Sequence, residues 1–201
     1  MTQFNQGITA VTTYTLAGTQ VESGTDGFLS WGRWQGVVLV NGLPTTLTSN
    51  QGLHYVTGIP TPVASMPTGG TFTYNLVGAT SPTFSGNVTA PGPGVLNSAS
   101  LVGNFTTGAV NVNLSVTAAG ATFAGSANGT ISTGTPNFTA AGTTGVTGAT
   151  TVGCSGSCAL NVNGFFAGTG ATRAGMLYQI STLNLTTGGA LPLTGAAALA
   201  R

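Results

Sequence analysis

Charge is what this sequence has least of. Acidic and basic residues make up 2% of it, against roughly a quarter in ordinary soluble domains. Glu22, Asp26, Arg33, Arg173 and Arg201 are the complete set, with no lysine and a single histidine, His54. A net charge of +1 carries no electrostatic footprint of a nucleic-acid binder, so no such partner is expected. Glu22 and Asp26 both read as solvated residues of a glycine-containing turn, with Asp26 beside Gly27 as a turn former. They do not look like two acids converging on a bond. His54 is the sole candidate base for a nucleophilic triad, and in "LHYV" it shares a face with Val56, as a structural histidine would. Neither an enzyme nor a cofactor is expected.

Long apolar runs are also missing. None approaches the length of about 18 residues that a spanning helix needs, so no transmembrane segment is expected. The opening "MTQFNQGITAVTTYTLAG" has no basic stretch followed by a continuous apolar one, which excludes a signal peptide there. Disorder is excluded on the other side, because 41% of the residues are hydrophobic and net charge is low. Cysteine is scarce. Cys154 and Cys158 form "CSGSC", too few ligands for zinc and the wrong spacing for a redox pair. A disulfide closing a Gly/Ser loop is expected, and it favours an extracytoplasmic setting.

What the chain does have is glycine, 33 residues of it, with threonine, asparagine and serine in runs of period two. "GTFTYNLVG" sets Phe72, Tyr74 and Leu76 against Thr71, Thr73 and Asn75. "GAVNVNLSV" sets Val110, Val112, Leu114 and Val116 against Asn111, Asn113 and Ser115. Successive strand residues face opposite sides, so each run reads as a half-buried strand. Strands are predicted near 8–17, 27–41, 52–58, 70–78, 95–106, 109–118, 120–132, 136–144, 159–167, 174–182 and 190–199. Turn sequences such as "APGPG", "TAAG" and "STGTPN" separate them at spacings suited to antiparallel hairpins. The fold class is therefore all-β: an antiparallel up-and-down β-barrel of about eight strands, filled by side chains, with an N-terminal strand extension. Residues 1–25 are read as the extension and 26–201 as the barrel domain.

Five segments in order, "DGFLSWGRWQG", "GLHYVTGIPTP", "GTFTYNLVGATSPT", "VNGFFAGTGATRAGMLYQI" and "LTGAAALAR", together resemble the C-terminal β-barrel domain of bacterial FecR-domain proteins. That domain is similar to the barrel lobes of transferrin-binding-protein-B-like surface lipoproteins. The resemblance implies an extracellular or outer-surface bacterial barrel without an active site, whose loops bind a protein or, in some similar barrels, haem. Its most specific block holds Gly164, Phe165, Phe166, Gly168, Gly170, Arg173 and Gly175, read as a strand–turn–strand corner. Of Phe165 and Phe166, only one can fill the barrel. Gly168 and Gly170 permit backbone angles closed to other residues, and Arg173 offers five donors to carbonyls at that corner.

Two functions fit. A surface stripped of charge lacks the protection that keeps edge strands apart, so copies of the chain are expected as partners, in a fibre, sheath or matrix. Residues 8–17 are the candidate donor strand, with Ile8, Ala10, Thr12, Tyr14 and Leu16 on one face. The alternative is a binding module presenting loops 60–70 and 81–94 to a protein or small ligand such as haem. Trp31, Trp34, His54 and Tyr55 are its candidate surface or ligand contacts. Trp31 and Trp34 fall on opposite strand faces, so one belongs to the core and the other serves as an anchor.

Overall fold

A computed structural model describes residues 14–85, 91–149 and 151–201. The strands are β1 (Tyr14–Leu16), β2 (Thr19–Thr25), β3 (Leu29–Val40), β4 (Leu43–Leu47), β5 (Leu53–Gly58), β6 (Thr71–Ala79), β7 (Thr83–Phe84) and β8 (Val95–Asn104). They continue as β9 (Ala109–Ala118), β10 (Ala121–Ile131), β11 (Asn137–Thr147), β12 (Val152–Gly153), β13 (Cys158–Ala167), β14 (Arg173–Ile180), β15 (Leu183–Asn184) and β16 (Leu193–Ala200). Eight of these, β6, β8, β9, β10, β11, β13, β14 and β16, pair in that order, and β16 returns to β6 to close an antiparallel up-and-down barrel. β7 adds an extra strand on β16.

The barrel forms because alternation places one apolar set inward on every strand. Along β9, Val110, Val112, Leu114 and Val116 are buried while Asn113 is exposed. Phe166 lies at the middle of the filling, with Tyr74, Phe105 and Phe138 rings 5.5, 5.0 and 5.1 Å away. These tilted contacts suit ring quadrupoles, and each fully buried large side chain contributes about 1.5–3 kcal/mol of hydrophobic stabilisation. The interior is thus a packed core, as the sequence predicts. The outer wall of β9 to β13 carries Asn111, Asn113, Ser115, Asn128, Asn161 and Asn163, with side-chain hydrogen bonds such as Asn113 Nδ2 donating to Asn111 Oδ1 at 2.7 Å. A membrane-spanning barrel needs an apolar band on that face; here it is polar.

Two turns share the sequence N-x-T-T-G and the same geometry. Asn104 Oδ1 accepts from the N–H groups of Thr106 and Thr107, and Asn184 Oδ1 accepts from those of Thr186 and Thr187. Gly108 and Gly188, which close the two turns, have φ of 74° and 72°, a region that only glycine enters freely.

Residues 26–58, expected within the barrel, lie in a separate sheet of five strands. Its spine is β3. The first half of β3 pairs with β2 and β5, and the second half pairs with β1 and β4. β2 and β4 were not expected. β2, "TQVESGT", has one large apolar residue and so no alternation to read. β4 holds Pro44 and is mostly exposed, an edge strand by both marks. Of the candidate donor strand, Ile8, Ala10 and Thr12 lie outside the described residues. Tyr14 and Leu16 are paired with Val40 and Val38 of β3 in the same chain, so the described part is an internal partner rather than a free strand.

Candidate protein-binding surface at the sheet–barrel seam

The five-stranded sheet lies against the outer face of β14, β16 and β6. Where it lies, the barrel wall changes composition. Gly78, Gly175, Ala196 and Ala198 take the outward positions, and Ala196 and Ala198 are fully buried. Leu29 and Trp31 pack with Ala198, Ala167 and Phe165 as a second, smaller core. A Cβ added at Gly24 or Gly78 would meet the Trp31 indole, and one added at Gly175 would meet Val56. The two glycines therefore form a slot for the ring. Trp34, three residues on, points to the other face of β3 and is half-buried. Phe165 and Phe166 divide as alternation requires: Phe166 fills the barrel and Phe165 joins the seam.

Polar latches hold both ends of this contact. At one end Glu22 Oε1 accepts from Arg33 Nη2 at 2.7 Å and its Oε2 accepts from Ser81 N–H at 2.8 Å. Arg33 is itself buried, and its Nη1 donates to the Gln51 carbonyl. Burial pushes the Glu22 carboxyl up, but the hydrogen bonds from Arg33 and Ser81 outweigh it and the net direction is down. Beside them His54 is buried, with Nδ1 2.7 Å from Thr80 Oγ1 and Nε2 2.8 Å from Thr83 Oγ1. A neutral imidazole has one donor and one acceptor, and either tautomer satisfies both hydroxyls. Desolvation and the neighbouring Arg33 charge push its pKa down to about 3. His54 was a candidate ligand contact; both ring nitrogens are occupied in a dry site, so it holds the seam instead.

At the other end Asp26 Oδ1 accepts from the N–H groups of Phe28 and Leu29, while Oδ2 pairs with Arg173 Nε. Burial raises the Asp26 pKa, and these hydrogen bonds and the Arg173 charge bring it below its usual value. Arg173 also donates to the Thr172 carbonyl at 3.1 Å, the role expected from sequence, and lies 4.9 Å from the centre of the Phe28 ring. Asp26 does close its own turn, as read from sequence, but neither acid is simply a solvated loop residue: Glu22 meets Arg33 and Ser81, and Asp26 meets Arg173, 147 positions away.

Gly168 and Gly170, with φ of 75° and 65°, and Ala171, with φ of 59°, shape the β13–β14 turn. Thr61 Oγ1 donates to the Gly168 carbonyl and Thr61 N–H to that of Phe166, which draws the 59–70 segment across the same end. There a cleft of about 370 Å³ opens between Phe28, Ile59, Pro60, Pro62, Ser65 and Gly168. Its rim is apolar and wet: Ile59 is 82% exposed and Phe28 51%. Sequence reasoning had picked loop 60–70 but not Phe28 or Ile59, which sit at strand ends and carry no motif. Tyr55 lies on the sheet's outward face, its hydroxyl accepting from Gln20 Nε2 at 2.6 Å. Loop 81–94 lies partly outside the described residues. Cys154 and Cys158, 5.4 Å apart at Cα, are joined as the expected disulfide. No group of three or more metal-ligating side chains gathers among the described residues.

Fold and surface together define a charge-poor protein in which a small sheet is clamped to a closed barrel, with an apolar end spanning both. No family model matches the chain, so the FecR-domain part of the resemblance finds no support, and no curated protein matches either. Solved structures do share the architecture. A double mutant of Transferrin Binding Protein B (TbpB), a vaccine antigen from Haemophilus parasuis Hp5, matches with a TM-score of 0.51 at 11% identity, over 94% of this chain and 34% of that one. A single mutant of the same protein matches with a TM-score of 0.50 at 13% identity, over 93% and 39%. A match of that extent takes in sheet and barrel together, and at such identity it establishes the fold alone. The chain spans little more than a third of the length of the proteins it matches.

Proposed function

We propose that this chain is a non-enzymatic binding module of an extracellular or outer-surface bacterial protein, and that it takes a protein ligand on the apolar end formed by Phe28 and Ile59. The observation that carries the reading is this rim, two large apolar side chains at least half exposed around a cleft built by both units. Exposed apolar clusters rimmed by polar surface mark interaction sites. The barrel's remaining outer wall is amide and hydroxyl, which contrasts with the rim. Transferrin is the first ligand to test, because the structural neighbours are named for binding it. Surface plasmon resonance against transferrins is expected to give a saturable signal that F28S/I59S lowers at least tenfold with the circular dichroism spectrum unchanged. Equal binding by the variant would remove the rim from the site. Haem is a weaker candidate, since His54 is enclosed; a haem titration is expected to leave the Soret band that of free haem.

The uncharged wall of β9 to β13 supports a second reading, self-association. Asparagine amides carry donor and acceptor alike and so complement a copy of themselves. Sedimentation velocity at high concentration decides it: assembly that grows with concentration favours copies as partners, and a single monomer boundary excludes them.

A further inference from the structure

The barrel closes on itself through β16 and β6 without help from the five-stranded sheet. The sheet is held by a modest apolar contact, Leu29 and Trp31 on Ala198 and Phe165 with Val56 beside Gly175, by the Thr61 hydrogen bonds to the Phe166 and Gly168 carbonyls at one end, and by groups whose charge depends on pH. Four of the five formally charged residues of the chain stand in this seam, as two ion pairs. We propose that the seam is an acid-released latch: protonation of Glu22, Asp26 and His54 frees the sheet from a barrel that stays closed.

The groups facing each latch residue are few. Arg33 of β3 and Glu22 of β2 stand beside His54, and from the barrel side it meets only the hydroxyls of Thr80 and Thr83. Glu22 meets Arg33 and the Ser81 N–H. Asp26 meets Arg173 from β14 and two N–H groups of its own turn. The remaining charge, Arg201, sits over Phe72 and donates to the Gly170 carbonyl, on the barrel alone. Acid acts on every latch in one direction. A neutral Glu22 weakens the bond it accepts across the seam from the Ser81 N–H, besides its bond to Arg33 within the sheet, and a neutral Asp26 loses the charge-assisted bond to Arg173 across the seam, while a protonated His54 sets a second positive charge beside Arg33.

His54 titrates at about 3 when docked and returns to 6.5 when exposed. Between those values the undocked state binds the extra proton, so docking weakens as pH falls through this window, by tenfold per pH unit for one proton. Glu22 and Asp26, whose docked values are lowered, add to the loss below their ordinary values of 4.5 and 3.8 in the same direction. Phe28 belongs to the sheet side of the cleft and Gly168 to the barrel side, so undocking also takes the cleft apart. That last consequence alone rests on the binding reading.

Hydrogen exchange with mass spectrometry, corrected for the pH dependence of intrinsic exchange, tests the latch with no ligand present. Amides of β2 and β5 are expected to lose protection about tenfold per pH unit between pH 6 and 4, while those of β9 and β10 keep theirs. Loss of both sets together, or of neither by pH 3, overturns the proposal. H54Q can still bond both threonines and is expected to flatten the slope above pH 4.5. Should it misfold, E22Q is the second variant, expected to expose β2 and β5 already at neutral pH. An unchanged profile in a folded variant of either kind overturns the latch, and R201Q is expected to match the parent. Surface plasmon resonance with transferrin across the same range keeps the two readings apart. Sheet opening without any transferrin signal sinks only the binding reading, whereas a signal that survives confirmed opening sinks the link between them.

Discussion

Two flanks of one cylinder obey different rules. On the β9–β13 flank the outward positions are mostly asparagine, threonine and serine with a few alanines, and the strands alternate between buried and wet. On the β14–β16–β6 flank the outward positions under the sheet, Gly175, Ala196, Ala198 and Gly78, shrink to glycine and alanine, and β16 is buried on both faces apart from its two half-buried positions, Thr194 and Ala200. The open flank has to satisfy water, and neutral amides that bond one another do so without charge. The covered flank has to admit another sheet at close range, which requires that Cβ atoms be absent or small. Four of the five charged residues gather at the edges of that second flank, where each carboxylate has an arginine to meet.

The sharpest way to break the contrast is to add bulk where the sheet docks. G78V would drive a branched side chain into the Trp31 ring, and overpacking of this kind costs about 3 kcal/mol. Chemical denaturation should show that loss together with a red shift of tryptophan emission as Trp31 meets water. Removing charge from the same flank comes next. E22Q keeps the shape of the side chain but weakens the bond to a buried arginine, at about 2 kcal/mol by loss of a charge-assisted hydrogen bond. Its effect should persist in 0.5 M salt, because the pair is largely shielded from solvent. The smallest effect belongs to the open flank. N113A removes one exposed side-chain hydrogen bond and should change stability by under about 0.5 kcal/mol. A cost as large as that of G78V would show that the two flanks are not distinct.

The open flank was also the legible one. "GAVNVNLSV" states the two faces of β9 outright, and the strand runs to the residue limits read from it. The barrel class followed from many such runs. The covered flank was opaque because its signals are subtractive: in "LTGAAALA" the small residues mark a neighbour that sequence does not reveal. β2 was missed for a related reason. Its inward residues are Glu22 and Gly24, one charged and one without a side chain, so the usual apolar mark of a buried face is replaced by an ion pair and a gap for Trp31. Arg173 was recognised as structural, but its acidic partner lies almost the whole chain away. The apolar rim depended on where strands end in space, and neither Phe28 nor Ile59 carries that information locally.

β16 completes the ring between β6 and β14, and its outward alanines are also the floor on which the sheet rests. Until that last strand arrives, a growing or exported chain holds two unzipped edges and has nowhere to seat the sheet it made first. Curling shut and docking are therefore both deferred to the same moment, and a chain halted short of β16 would present a charge-poor, sticky ribbon to whatever quality-control machinery surrounds it.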